Sequence, residues 1–147
     1  MQVSDILSRT CVAHKVKARS KKAILETLAN LIASEAPELT SAEVFNSLIT
    51  RERLGSTGLG RGVAIPHGRL NHSRHPYGAF VLTEEGLDFD AIDNQPVDLF
   101  FSLLVPEQAT EEHLQILAQL AEMFSDEEFL GRVRASRSPD ELFKLLT

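Results

Sequence analysis

From Val97 to Val105 the chain reads Val97-Asp98-Leu99-Phe100-Phe101-Ser102-Leu103-Leu104-Val105, apolar at all but two positions, and Pro106 ends the run. It is far shorter than the roughly 20 apolar residues that span a bilayer. It is rich in β-formers and does not alternate, so it reads as a strand with both faces covered. Such a strand needs a layer on each side, and the rest of the chain supplies helices. Ser20 is placed to cap one on which Ala23, Ile24, Leu28, Leu31 and Ile32 recur at helical spacing, with Pro37 at its end. Thr40 or Ser41 caps a second, with Val44, Phe45, Leu48 and Ile49 facing inward. Glu43, three residues after Thr40, completes a capping box, and the helix must stop before Gly55.

Further along, Ala79-Phe80-Val81-Leu82 reads as another strand, bounded by Gly78 and a turn at Glu84-Glu85-Gly86. Thr110 is read as the cap of a helix carrying Leu114, Leu117, Leu120, Ala121 and Phe124 on one side. Two short helices follow, Asp126 to Ala135 and Ser138 to Leu146, the last with Ser138-Pro139 as cap and first-turn proline. The expected fold is α/β, a single-domain sandwich with a mixed β-sheet flanked by helices. One domain over residues 1–147 suits the length of the chain.

The formal charge of -6 makes the chain a poor general binder of nucleic acid. Its one basic stretch holds His14, Lys15, Lys17, Arg19, Lys21 and Lys22, and reads as a solvated helix approach or a docking face for an acidic partner. The single Cys11 excludes an internal disulfide, and nothing nearby reads as a metal site. No apolar core follows a basic start at the N-terminus, which argues against a signal peptide. A cytoplasmic home without membrane insertion is the expectation.

Gly55-Ser56-Thr57-Gly58-Leu59-Gly60-Arg61-Gly62 holds four glycines in eight residues and is expected to be a loop, because glycine loses too much backbone entropy in a helix or central strand. Its N–H groups and the Ser56 and Thr57 hydroxyls suit an oxyanion or phosphate. No Gly-Lys-Ser/Thr ends it, so it is not a nucleotide P-loop, and no cofactor is implied. His67 follows on a stiff Ile65-Pro66 stem. Imidazole is nucleophilic near neutral pH and can leave again once phosphorylated. From the residues alone His67 is a nucleophile or an ordinary turn or core histidine, and which ring nitrogen would react stays open. Arg51, at the end of the second helix, is a phosphate clamp or a charge favoured by the helix dipole. His113, in the first turn of the helix after Thr110, is an anion-site neighbour or a surface residue.

The segment from Arg51 through Gly55-Ser56-Thr57-Gly58-Leu59-Gly60-Arg61-Gly62-Val63-Ala64-Ile65-Pro66-His67-Gly68 to Arg69 resembles the active-site segment of enzyme IIA domains of the bacterial phosphotransferase system, in the fructose/mannitol class. The run from Phe89 to Leu99 is most similar to the nitrogen-regulatory branch. Leu104-Val105-Pro106 followed by His113-Leu114 fits as well, and the likeness extends from about Ser4 to Leu146. The resemblance implies a histidine phosphocarrier. His67 would become a tele-phosphohistidine, with His113 and Arg51 assisting. Gly55, Ser56, Thr57, Gly58, Gly60 and Gly62 are assigned to phosphate binding.

The implied donor is an HPr-type phosphocarrier protein. The implied outputs are potassium-transport or sensor proteins under nitrogen-linked control. Two alternatives are a sugar-specific IIA feeding a separate permease and a binding module without phosphotransfer. For the carrier contact Leu59, Val63 and Ile65 are candidates, with Arg61 and Arg69 at the edge, and Leu59 is expected to be exposed.

Overall fold

A computed structural model of the chain describes residues 1–108 and 111–147. In chain order its elements are α1 (Val3–Ile6), β1 (Leu7–Val16), α2 (Lys21–Glu35), α3 (Ser41–Glu52), β2 (Gly58–Gly60), β3 (Val63–Ala64), β4 (His67–Leu70), β5 (Tyr77–Leu87), β6 (Val97–Pro106), α4 (Glu111–Met123), α5 (Glu127–Arg134) and α6 (Pro139–Leu146). The expected α/β architecture with a mixed sheet is what forms. The strand order is β1-β5-β6-β3-β2, and β4 also pairs with β6.

The apolar run is the centre of this sheet. β6 lies antiparallel to β5 on one side and parallel to β3 and β4 on the other. Its two faces meet different aromatic neighbours. Phe101 packs near Phe80 and Phe124, and Phe100 meets Phe89 edge-on. β3 and β4 run along the same side of β6, one beside Leu99 and Phe100, the other from Leu103 to Pro106. Ile65 and Pro66 separate them. Proline has no N–H to give the ladder, but the Pro66 carbonyl still accepts from Leu103 N at 3.0 Å. His67 therefore starts a strand at a point where the chain is pinned to the central strand.

α2 and α3 begin as read: Ser20 accepts from Ala23 N, and the Thr40–Glu43 capping box is complete. Asp126 and Ser138 cap α5 and α6. The Thr110 cap lies outside the described residues.

Other expectations are corrected. The glycine run is not all loop: Gly58–Gly60 pairs antiparallel with β3 as the edge strand β2. An edge position needs only one partner, which tolerates the glycines that a central strand would not. The residues read as a turn, Glu84-Glu85-Gly86, lie within β5, with the register against β6 shifting between Leu82 and Leu87. On α4 the buried residues are Ile116 and Leu120, whereas Leu114 is 53% exposed. The basic stretch is no helix approach at its start, because His14 and Lys15 belong to β1. The His14 Nε2 meets the Ser136 carbonyl at 2.8 Å.

Candidate functional site

α3, β4 and α4 converge on an open pocket of about 510 Å³. Arg51, His67 and His113 all line it, each from a different element. The α3 wall adds Asn46, Ser47 and Thr50, with Leu54 just past its end, β4 adds Gly68, Arg69 and Leu70, and β6 adds Leu103 and Val105. Leu114 and Leu117 complete the α4 side.

At His67 the two ring nitrogens have different surroundings. Its Nδ1 lies 2.9 Å from the carbonyl oxygen of Ile65. A carbonyl can only accept, so in this bond Nδ1 carries the proton and the lone pair falls on Nε2. The ring is half-buried, and burial is the chief cause that holds its pKa below the ordinary 6.5. The Ile65 bond and the Glu52 carboxylate act in the opposite direction, while the Arg51 and Arg69 charges add to the lowering. The lowering favours the neutral ring, with the lone pair on Nε2.

Arg51 sits in the last turn of α3, and its Nη1 donates to the Gly55 carbonyl at 2.9 Å. That bond turns the guanidinium back over the helix end, where it lines the pocket beside His67. α3 lies directly on β4. The Ser47 hydroxyl donates to the Arg69 carbonyl at 3.0 Å. A Cβ on Gly68 would press into the Ser47 hydroxyl and come within 3.1 Å of the Ser47 backbone. The absent side chain at Gly68 lets the helix that carries Arg51 approach the strand that carries His67.

The structure does not bring the glycine run into this pocket. None of Gly55, Ser56, Thr57, Gly58, Gly60 and Gly62 is among its lining residues. Ser56 donates to the Phe89 carbonyl at 2.8 Å and accepts from Gly58 N. Thr57 gives its backbone N–H and its hydroxyl to the Glu52 carboxylate, at 2.9 and 2.5 Å. Gly60 and Gly62 have φ of 93° and 80°, which L side chains rarely adopt, and Arg61 between them is also left-handed at 58°.

Sequence reasoning missed Leu54, 82% exposed at the pocket mouth, and the polar residues one turn before Arg51. The helical period from Arg51 back to Ser47 was the signal available for the latter. Of the docking candidates, Leu59 is exposed, while Val63 and Ile65 are core. Among the described residues no cluster of His, Cys, Asp or Glu has the makings of a metal site. No described helix is long and apolar enough to cross a membrane.

Comparison with known proteins places these features in a lineage. The family model described as "Phosphoenolpyruvate-dependent sugar phosphotransferase system, EIIA 2" matches residues 5–147. The nitrogen regulatory protein of Escherichia coli K12 is 43% identical over 148 residues, covering 100% of this chain and 90% of that protein. The crystal structure of nitrogen regulatory protein IIA-Ntr from Neisseria meningitidis matches with a TM-score of 0.93 at 43% identity, covering 99% of each chain. IIA mannitol from Escherichia coli shares the fold, with a TM-score of 0.79 at 22% identity over 95% of this chain and 98% of that one.

Proposed function

Because the chain belongs to the EIIA type 2 family of the phosphoenolpyruvate-dependent sugar phosphotransferase system, we propose that it is a histidine phosphocarrier with a regulatory output. It accepts a phosphoryl group from an HPr-type carrier on Nε2 of His67. The observation that carries this reading is the Nδ1 bond to Ile65, which leaves Nε2 as the reactive nitrogen in a pocket shared with Arg51 and His113.

The chemistry follows from that arrangement. The Nε2 lone pair attacks phosphorus as the bond to the donor's own histidine breaks, and the donor ring takes the leaving electron pair. Positive charge develops on the His67 ring, and the Ile65 carbonyl stabilises it while keeping the Nδ1 proton in place. The protein's task in phosphoryl transfer is positioning and electrostatic stabilisation of the moving group. Arg51 meets the phosphoryl oxygens with its planar fork, and His113 supplies a second contact. Ser56 and Thr57 have their hydroxyls engaged inside the fold, so direct contact with the phosphoryl group falls to these two side chains.

The full-length likeness to nitrogen regulatory proteins favours a regulatory output over a sugar-specific IIA feeding a permease. Potassium-transport or sensor proteins are the class of target proposed, read through protein contacts in the cytoplasm by one domain, without nucleic acid or cofactor. A non-phosphorylated binding module is disfavoured by the presence of His67, His113 and Arg51 around one pocket.

The test is incubation with the general phosphotransferase enzyme, an HPr-type carrier and phosphoenolpyruvate, followed by intact mass measurement. The protein gains one acid-labile phosphoryl group, and His67→Ala abolishes it. Nitrogen NMR places the group on Nε2. A gain that persists in His67→Ala, or maps to His113, overturns the reading.

A further inference from the structure

Glu52 is the most deeply buried carboxylate of the described chain, with its side chain only 1% exposed, and the chemistry above gives it no task. A buried charge must be compensated. Lys21, from the first turn of α2, does so with Nζ at 3.1 Å from Oε2. Lys21 is itself held, with Asp90 at 3.3 Å and the Phe89 ring 4.7 Å beneath its ammonium. The basic stretch that reads as solvated in the sequence thus sends one of its lysines inward.

What the pair holds leads to the site. The two Glu52 oxygens take the N–H and the hydroxyl of Thr57. The Thr57 carbonyl then accepts from Ile65 N at 3.1 Å. The Ile65 carbonyl accepts from His67 Nδ1, and the next carbonyl, that of Pro66, is pinned by Leu103 N. The Ile65 carbonyl sits between two tethered points, with the rigid proline ring after it. Its direction decides which imidazole nitrogen keeps the proton.

We propose that Glu52, held by Lys21, is a positioning residue for phosphoryl transfer: through Thr57 and Ile65 it fixes the carbonyl that retains the Nδ1 proton of His67 and so presents Nε2 as the nucleophile. The inference rests on His67 being the phosphoryl acceptor. It differs from a plain anchoring role for the buried pair, because anchoring alone would cost stability without changing the state of the ring. The charged and titratable groups around His67 are Arg51 and Glu52 from α3, Arg69 from β4 and His113 from α4. Glu52 also reaches the ring through its charge, so Thr57→Val, which leaves that charge in place, separates the chain of contacts from the direct field.

The experiment reads the neutral His67 ring by long-range proton–nitrogen NMR on the unphosphorylated full chain above pH 7, and transfer by single-turnover phosphorylation from the carrier. The wild-type ring shows one tautomer, with the proton on Nδ1. In Glu52→Gln the Nε2-protonated tautomer becomes populated and transfer slows about tenfold, with carrier affinity in an NMR titration unchanged. Thr57→Val, which removes one of the two bonds to the carboxylate, moves both readouts the same way by less. If Glu52→Gln does not fold, Lys21→Met/Glu52→Gln removes both charges together and is read identically. A folded variant that keeps a single Nδ1-protonated ring, whether or not its melting temperature falls, overturns the proposal. So does a wild-type ring with its proton on Nε2. A wild-type protein that takes no phosphoryl group, yet whose tautomer responds to Glu52→Gln, sinks the functional reading and leaves the coupling standing.

Discussion

α3 and α4 each bring one nitrogen-bearing side chain to the pocket, and they are held to the fold very differently. α3 is capped at both oxygens of a capping box, buries Val44, Leu48 and Glu52, and is bonded through Ser47 to the strand that carries His67. Within α4 only Ile116 and Leu120 are buried, and its first turn exposes Glu111 and Glu112. The acidic first turn favours the helix dipole but does nothing to seat the helix on the sheet. Arg51 is therefore carried on a firmly seated helix and tied to the Gly55 carbonyl, while His113 rides on an element with fewer buried residues. Pre-organised charge contributes most to stabilising a transition state.

The contrast predicts unequal losses. Arg51→Ala slows single-turnover phosphorylation by about two to three decades, roughly 2–4 kcal/mol of barrier, with the fold intact. His113→Ala costs about one decade, near 1.4 kcal/mol. A larger loss in His113→Ala than in Arg51→Ala reverses the comparison, and near-wild-type rates in both remove the pair from the mechanism.

A second difference concerns the outer surface. The two apolar side chains most exposed at the pocket are Leu54, just past α3, and Leu114 on α4. Leu59, 46% exposed on β2, lines no part of it. Leu114→Asp is expected to weaken carrier binding about tenfold in an NMR titration, and Leu59→Asp to weaken it less. The reverse order would move the centre of the contact towards the β2 edge.

A smaller effect tests the capping itself. Thr40→Ala lowers stability by about 1 kcal/mol in denaturant unfolding. Because the cap lies at the far end of α3 from Arg51, transfer in the folded variant stays near wild type.

The last expected effect is on pH. The folded pKa of His67 is below its unfolded value, so between the two the unfolded chain binds more protons. The stability this group contributes is complete above about pH 6.5 and is lost as pH falls towards the folded pKa. Phosphorylation should likewise hold its rate to a pH lower than an ordinary histidine permits. Arg51→Ala should raise the His67 titration midpoint seen by NMR, since Arg51 helps to depress it. A midpoint that falls or stays put would mean that the guanidinium is not near the ring in solution.

Much of the fold was legible because its signals are local and long. The run from Val97 to Val105 reads as an interior strand from its β-formers and its length, and the caps at Ser20, Thr40, Asp126 and Ser138 mark helices by chemistry that works within a few residues. β1 was missed. Only Leu7, Cys11 and Val12 of its ten residues are buried, and irregular pairing with β5 breaks the alternation that would have exposed it. β2 exists only because β3 is beside it, which no glycine-rich sequence can announce. At the site, Arg51, His67 and His113 were candidates from the residues themselves, and the family resemblance chose between their two readings. Their convergence depends on three elements meeting in space. Lys21 and Glu52 were not legible at all, since a charged residue at a helix end ordinarily faces water and their pairing is a tertiary fact.

Gly68 has a consequence beyond packing. It supplies no group to the pocket's chemistry, yet its missing side chain sets the distance between the arginine helix and the histidine strand. A descendant of this chain that replaced Gly68 would keep every reactive atom and lose the interval between them. At this site His67-Gly68 works as a unit, in which one residue brings the imidazole and the other provides the gap.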